Sequence, residues 1–146
     1  MELNFGQMFD SRQAVSDLLG GDTQKGIAIS RKTPTILLFT NEEELYSDYF
    51  YPVGRYEYCM YTGIGRVGHQ DSIENNMYSL NIAVLAHEMD RRHLLVFEKR
   101  KAKYYFRGEY RLLETHQNVQ PDENNKLRRV FVFHLKQITD TYICSE

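Results

Sequence analysis

The chain has 146 residues, 42% of them hydrophobic and 26% charged, which is the composition of one globular domain spanning residues 1–146. Its start lacks the basic and apolar regions of a signal peptide, and no apolar run reaches the ~18 residues of a membrane span, so a cytoplasmic protein without membrane contacts is expected. The formal net charge of −2 argues against a domain that is basic overall. A nucleic-acid binder nevertheless needs only one basic face.

In chain order, the pattern first predicts a helix over residues 10–19, with Asp10 or Ser11 as its N-cap and two glycines at its end. Further predicted elements are strands over 35–40 and 55–61, a helix over 78–92, and strands over 93–98, 104–110 and 130–135. The segment 117–125, rich in Pro, Asp and Asn, predicts a loop. This order favours an α+β fold with a curved, barrel-like, mostly antiparallel sheet and two flanking helices.

Basic residues are concentrated between residues 91 and 111, and again at 126–129. On charge alone, the candidates for contacts with DNA phosphates are Arg66, Lys99, Arg100, Lys101 and Lys103. The alternative is that these side chains only solvate the ends of strands. If residues 99–103 form one strand, Lys99, Lys101 and Lys103 project from one face and Arg100 from the other.

The sequence lacks the common catalytic and cofactor motifs. It has no nucleophile elbow, no phosphate-binding loop and no dinucleotide fingerprint. Its five histidines do not have the spacing of the common zinc motifs. We therefore expect no enzymatic activity, no cofactor and no metal site.

The segment from residue 46 to residue 66 is unusual, because six tyrosines fall within its first sixteen residues, followed by a glycine-rich turn. One interpretation is a strand that favours tyrosine and an ordinary turn. The other is a pocket for a planar ligand, in which aromatic faces sandwich a base and a carboxylate accepts hydrogen bonds from its amino edge. Composition alone leaves both interpretations open.

The order of short motifs resembles that of SRA domains (SET- and RING-associated, also called YDG), and most of all the SRA-like domains of McrA-type HNH modification-dependent restriction enzymes. In that family a Tyr and an Asp are followed by Tyr-Thr-Gly-x-Gly, an Asp-Gln pair, an Asn before small and apolar residues, and a strand ending in Phe-Glu. The matching residues here are Tyr46 and Asp48, Tyr61-Thr62-Gly63-Ile64-Gly65, Asn81-Ile82-Ala83-Val84 and Leu95-Val96-Phe97-Glu98, whereas the family's Asp-Gln pair is replaced by His69-Gln70. Upstream, Gly26-Ile27 also resembles the restriction-enzyme branch of the family, and the likeness extends over residues 12–135.

The resemblance implies a DNA-binding module that recognises 5-methylcytosine or a bulkier 5-substituted cytosine in duplex DNA by base flipping, in modification-dependent restriction or phage defence. Tyr46 and Tyr61 would sandwich the base, and Asp48 would bind its Watson–Crick edge. The segment Thr62–Gly65 would line the side of the 5-substituent. The implied partners are modified duplex DNA and a nuclease domain or subunit, and the implied location is the nucleoid.

Three other functions remain open from the sequence. A related PUA- or EVE-like fold would bind modified RNA or a nucleotide, and binding to RNA rather than to duplex DNA would reveal it. A nuclease fragment would cut DNA with a metal ion present. A plain interaction domain would bind no nucleic acid even at low salt.

Overall fold

The computed structural model describes residues 1–41 and 48–144, and within them the chain forms ten strands and two helices. In chain order these are β1 (Glu2–Asn4), β2 (Met8–Phe9), α1 (Arg12–Leu19), β3 (Ile27–Ile29), β4 (Thr35–Phe39), β5 (Tyr49–Tyr51), β6 (Tyr58–Thr62), α2 (Tyr78–Leu85), β7 (His93–Arg100), β8 (Lys103–Pro121), β9 (Leu127–Thr139) and β10 (Thr141–Ile143).

The strands form one large sheet and one small one. The large sheet has the order β3-β4-β7-β8-β9-β6-β5, and β2 adds to β8, while β1 pairs with β10 separately. All pairs are antiparallel except β4 with β7. The predicted α+β class with a mostly antiparallel sheet and two helices is confirmed. Within the described residues the outer strands β3 and β5 do not pair with each other, so the sheet is open rather than closed into a barrel.

The helices differ in how well the sequence predicts their ends. Helix α1 begins after Ser11, whose hydroxyl accepts the N–H of Ala14 at 3.1 Å, and it ends at Gly20 with a φ of 84°. Both ends agree with the prediction. Helix α2 ends at Leu85, seven residues before the predicted end at Arg92. The chain turns after it, with Arg91 at a φ of 56°, so that β7 can begin at His93.

The β8–β9 hairpin overturns another prediction. The segment 117–125 was expected to be a loop, but β8 runs to Pro121 and pairs with β9 from Glu109 to Pro121. The turn is short, because the Asp122 carboxylate accepts the N–H groups of Asn124 and Lys126 at 2.9 and 3.0 Å. The residues of 113–119 are exposed and mostly polar, so they lack the apolar alternation that marks a half-buried strand.

The β7–β8 hairpin corrects the expected arrangement of the basic residues. Lys101 and Ala102 have φ values of 50° and 65° and form a two-residue turn, in which Arg100 pairs with Lys103 and Lys99 with Tyr104. Paired residues share a face of the sheet, so Arg100 lies on the same face as Lys103 and Lys99 lies on the opposite one. The predicted common face of Lys99, Lys101 and Lys103 is therefore wrong.

Two apolar clusters cover the two faces of the central strands. Strand β4 is buried on both sides, so Ile36 and Leu38 join one cluster and Leu37 and Phe39 the other. Helix α2 packs on the first cluster and α1 on the second. No helix in the described part of the chain is long and apolar enough to cross a membrane.

Candidate functional site

A cavity of about 510 Å³ opens where β4, β6, the turn after β6 and the loop before β3 meet. Its volume lies within the range of about 300–1,000 Å³ that is typical of small-ligand sites. The lining residues are Gln24, Lys25, Gly26, Phe39, Asn41, Asp48, Tyr61, Thr62, Ile64, Gly65, Arg66, Val67, Asn76, Met77 and Lys99.

Asp48 is the acidic group of this cavity. Its two carboxylate oxygens accept backbone N–H groups, one from Thr62 at 2.8 Å and one from Asn41 at 2.9 Å. Burial raises the pKa of Asp48 to about 7, although these two hydrogen bonds act in the opposite direction. Near neutral pH the protonated and ionised forms are therefore both populated, so the group can donate as well as accept a hydrogen bond.

The turn after β6 is held rigid from behind by two fully buried amides. Asn81 donates to the carbonyl of Ile64 at 2.8 Å and accepts its N–H at 2.9 Å. Gln70 donates to the carbonyl of Gly63 at 2.6 Å and accepts the N–H of Phe131 at 2.9 Å. A Cβ on Gly63 would lie 2.7 Å from Oε1 of Gln70, so a larger residue here would displace the buried amides.

The opposite wall, the loop before β3, is fixed by an ionic and backbone network. The Arg12 guanidinium lies 3.6 Å above the ring of Phe39 and donates to the carbonyls of Asp22 and Lys25 at 2.8 and 2.7 Å. The Asp22 carboxylate in turn accepts the N–H of Gln24 at 2.7 Å and that of Lys25 at 2.8 Å. These hydrogen bonds lower the pKa of Asp22. The wall is thus preorganised before any ligand binds.

Two aromatic residues, Phe39 and Tyr61, line the described part of the cavity. Tyr61 is 1% exposed, and its hydroxyl lies 2.9 Å from the carbonyl of Gly26 and 3.0 Å from that of Phe39. The Phe39 ring stacks on Phe97 with the centroids 5.2 Å apart. Both rings are held in fixed orientations, which makes them rigid apolar surfaces.

Three cationic residues, Lys25, Arg66 and Lys99, line the cavity around its single described carboxylate. Lys25 and Arg66 are exposed and Lys99 is half-buried. Arg66 also pairs with Glu123 at 2.8 Å. A polyanion that approaches the opening would meet this positive charge before it reaches Asp48.

Comparison with protein families identifies the fold. The model of the family described as "ScoMcrA-like, SRA domain" matches residues 5–142. The chain belongs to this SRA domain family. No curated protein matches the sequence.

Solved structures agree with this assignment. The Type IV phosphorothioation-dependent restriction endonuclease ScoMcrA superposes with a TM-score of 0.71 and 21% identity, over 91% of this chain and 27% of that chain. The SRA domain of SUVH5, in complex with hemi methylated CG DNA, superposes with a TM-score of 0.65 and 19% identity, over 99% of this chain and 94% of that chain. The DNA modification-dependent restriction endonuclease AspBHI superposes with a TM-score of 0.65 and 16% identity, over 88% of this chain and 69% of that chain. At these identities the fold is what is shared, and our SRA domain spans about a quarter of ScoMcrA.

The SRA domain brings together most of the base-binding residues predicted from the sequence. Asp48, Tyr61, Thr62, Ile64 and Gly65 line the one cavity, and Gly63 lies directly behind it, against the two buried amides. Tyr46 lies outside the described residues. The roles assigned to these residues stay predictions.

The predicted phosphate contacts are divided between two places. Arg66 and Lys99 line the cavity, whereas Arg100, Lys101 and Lys103 lie at the β7–β8 turn, where Lys103 pairs with Asp10 at 2.7 Å.

Sequence reasoning did not single out several lining residues. Lys25, Asn41 and Met77 are the clearest cases. Lys25 stands directly before Gly26, a glycine that is part of the family resemblance. Its position next to that glycine was the sequence signal that could have pointed to Lys25. Asn41 contributes its backbone N–H to Asp48, a role that no side-chain pattern reveals.

Proposed function

We propose that this SRA domain binds duplex DNA that carries a 5-substituted cytosine, rotates that base out of the helix and holds it in the cavity at Asp48. The observation that carries the proposal is a carboxyl group with a pKa of about 7, fixed by two backbone N–H groups in a cavity with cationic residues around it. The family membership and the DNA complexes of related SRA domains support it.

The carboxyl group of Asp48 is suited to the Watson–Crick edge of cytosine. That edge has an amino group that donates and a ring nitrogen, N3, that accepts. A protonated carboxyl accepts from the amino group through one oxygen and donates to N3 through the other. Unstacking a base costs a few kcal/mol, which aromatic stacking and these hydrogen bonds offset. The ionised carboxylate could accept from the amino group but has no proton to donate to N3.

The turn of residues 62–65 forms the side of the cavity that we assign to the 5-substituent. Ile64 presents an apolar side chain there, and Gly65, at a φ of 124°, brings the backbone close. Because Asn81 and Gln70 fix this backbone, the available space is set before binding. The size of the accepted substituent would thus be decided by a rigid wall.

The residues proposed to contact phosphates are Lys25, Arg66 and Lys99, which surround the cavity. Removing one such cation should lower the slope of log affinity against log salt by about 0.9. Variants with each of these residues changed to Ala should bind plain and modified duplexes more weakly by a similar factor. Lys136→Ala, an exposed cation on β9 outside the cavity lining, is the matched control and should keep the wild-type slope.

The decisive experiment is a binding panel with one duplex sequence that carries cytosine, methylcytosine, hydroxymethylcytosine or a glucosylated cytosine at one position. A fluorescent base analogue next to that position reports unstacking. We expect tighter binding to at least one modified duplex, with a fluorescence increase in the same duplex. Equal affinity for all of them, or preference for single-stranded or modified RNA, would refute the proposal and favour a PUA- or EVE-like role.

Asp48→Ala tests the base-binding role directly. It should remove the preference for the modified duplex, at a cost of about 1–3 kcal/mol, and leave weak, salt-sensitive binding. Asp90→Ala, which removes an exposed carboxylate outside the cavity lining, is the control. A variant that is folded, as judged by its circular dichroism, and that keeps the full preference would contradict the role of Asp48.

We further propose that the domain does not cut DNA itself and acts with a nuclease domain or subunit in modification-dependent restriction. The portion of ScoMcrA that corresponds to this chain is 27% of that enzyme, which supports a division of labour between domains. The purified chain should leave DNA intact with magnesium, manganese or zinc. Cleavage that survives repurification and disappears in a carboxylate variant would overturn this part of the proposal.

A further inference from the structure

Three potential metal ligands converge on the β8–β9 ribbon. Glu114, His116 and His134 each offer one ligand atom, and these atoms all lie within 4.8 Å of one another. They are the one group of three such side chains found among residues 1–41 and 48–144. The carboxylate of Glu114 already lies 3.2 Å from Nε2 of His116.

The strand pairing explains why these side chains meet. Glu114 stands directly opposite His134, and His116 is two residues further along the same strand and therefore on the same face. A β-bulge between Leu112 and Glu114 inserts one extra residue, and this shift sets Glu114 opposite His134. The spacing Glu-x-His on one strand with a His on its partner is absent from the common zinc motifs, so the sequence did not reveal it.

His134 is held in place by aromatic neighbours. Its ring stacks on Tyr51 with the centroids 5.7 Å apart, and Tyr58 lies at the same distance on a tilt. The Tyr51 hydroxyl also contacts Nε2 of His134. With Nε2 engaged by Tyr51, the metal-binding nitrogen of His134 would be Nδ1, and a hydrogen bond to the second ring nitrogen is how proteins commonly orient a metal-binding imidazole. One ligand is thus preorganised, while Glu114 and His116 are exposed and can adjust by rotation.

We propose that Glu114, His116 and His134 form a binding site for a divalent transition-metal ion, with Zn²⁺ as the best-fitting ion. Two imidazoles and one carboxylate are a ligand set that zinc accepts, with a fourth position left for water or for a partner's side chain. Ligand atoms bound ~2.1 Å from a tetrahedral zinc are about 3.4 Å apart, so the present arrangement needs only a small contraction.

The site is separate from the cavity at Asp48. Along β6, Tyr61 pairs with Phe133 and Met60 pairs with His134. Neighbouring residues of a strand point to opposite faces, so the metal ligands lie on the face opposite to Tyr61, which lines the cavity. Metal binding can therefore be tested without reference to DNA binding.

The experiment uses the full chain without a histidine tag and measures Zn²⁺ binding by calorimetry and by competition with a coloured chelator. We expect one Zn²⁺ per chain. Removing a group that only hydrogen-bonds to a metal ligand weakens metal binding about 10–100-fold. His116→Gln and Glu114→Gln each remove a ligand itself, so each should weaken Zn²⁺ binding by at least about 100-fold. Both positions are exposed, and the fold should tolerate these changes.

The matched control is a second His–Glu pair on the same sheet. His93 lies 2.7 Å from Glu109 but has no third ligand beside it in the described part of the chain. His93→Gln should keep wild-type Zn²⁺ affinity. With Co²⁺ in place of Zn²⁺, His93→Gln should show the absorption of a four-coordinate ion, and His116→Gln should not. No binding at millimolar Zn²⁺, or an equal loss in His93→Gln and His116→Gln, would overturn the proposal.

Discussion

The raised pKa of Asp48 makes a prediction about stability that does not depend on DNA. Burial favours the protonated carboxyl in the folded state, with a pKa of about 7 against the ordinary value of 3.8 in the unfolded chain. The folded state is therefore stabilised below pH ~4, and this contribution is lost as the pH rises through 7. At 1.36 kcal/mol for each pKa unit, wild type should lose about 2.5 kcal/mol between pH 5 and pH 8 through this group alone.

Asp48→Asn isolates this effect, because its side chain has nearly the same shape and cannot titrate. The variant keeps one of the two hydrogen bonds to Thr62 and Asn41. All other titrating groups are shared, so they cancel in the difference between the two proteins. The free energy of unfolding of wild type minus that of Asp48→Asn should thus fall by about 2.5 kcal/mol from pH 5 to pH 8.

Urea denaturation at several pH values, followed by far-ultraviolet circular dichroism, measures this difference; the chain has no tryptophan to serve as a fluorescent probe. A difference that is constant from pH 5 to pH 8 would refute the reasoning. It would mean that the two backbone hydrogen bonds outweigh burial and keep Asp48 ionised. The donor role that we propose toward a flipped base would then fall with it.

Three further substitutions test the scaffold of the cavity and its nearby turn, each by urea denaturation. Asn81→Leu should cost about 2–4 kcal/mol, since it leaves the buried N–H and carbonyl of Ile64 without partners; exposed Asn76→Leu is the control. Gly63→Ala should cost about 1–3 kcal/mol because its Cβ would lie 2.7 Å from Gln70, and a smaller loss would mean that the turn can yield. Ala102→Gly should stabilise the protein by about 0.5–1 kcal/mol by relieving a φ of 65°, and destabilisation would contradict this.

Local signals were sufficient for the elements that end in strong caps or lie fully in the core. The serine before α1 and the glycine after it marked both ends of that helix. The apolar run of residues 35–40 predicted a strand, and the structure places β4 there, buried on both faces. The motif order also placed five of the seven predicted base-binding residues in the lining of one cavity.

The failures come from features that depend on distant parts of the chain. The outer half of β8 is polar and is a strand because β9 supplies its hydrogen bonds, which no local pattern shows. The basic run after Lys99 looked like a continuous strand, but Lys101 and Ala102 adopt left-handed conformations without a glycine to mark the turn. The Glu114 site depends on a bulge, and a bulge changes register without changing composition.

The net charge of −2 illustrates why totals are weak evidence about partners. Acidic side chains in the described part of the chain take part in hydrogen bonds and ion pairs within the protein. Asp22 and Asp122 accept backbone N–H groups in turns, and Asp71 pairs with Arg129 at 2.9 Å. The cavity lining, by contrast, holds three cations, one of them paired with Glu123, and a single described carboxyl group that is partly neutral at pH 7. Since charges more than a Debye length of about 8 Å apart are largely screened at physiological salt, an approaching phosphate would respond to this local excess rather than to the sum over the chain. An acidic domain can therefore present a basic opening, and the salt slopes of the Lys25, Arg66 and Lys99 variants measure how much of that opening is used.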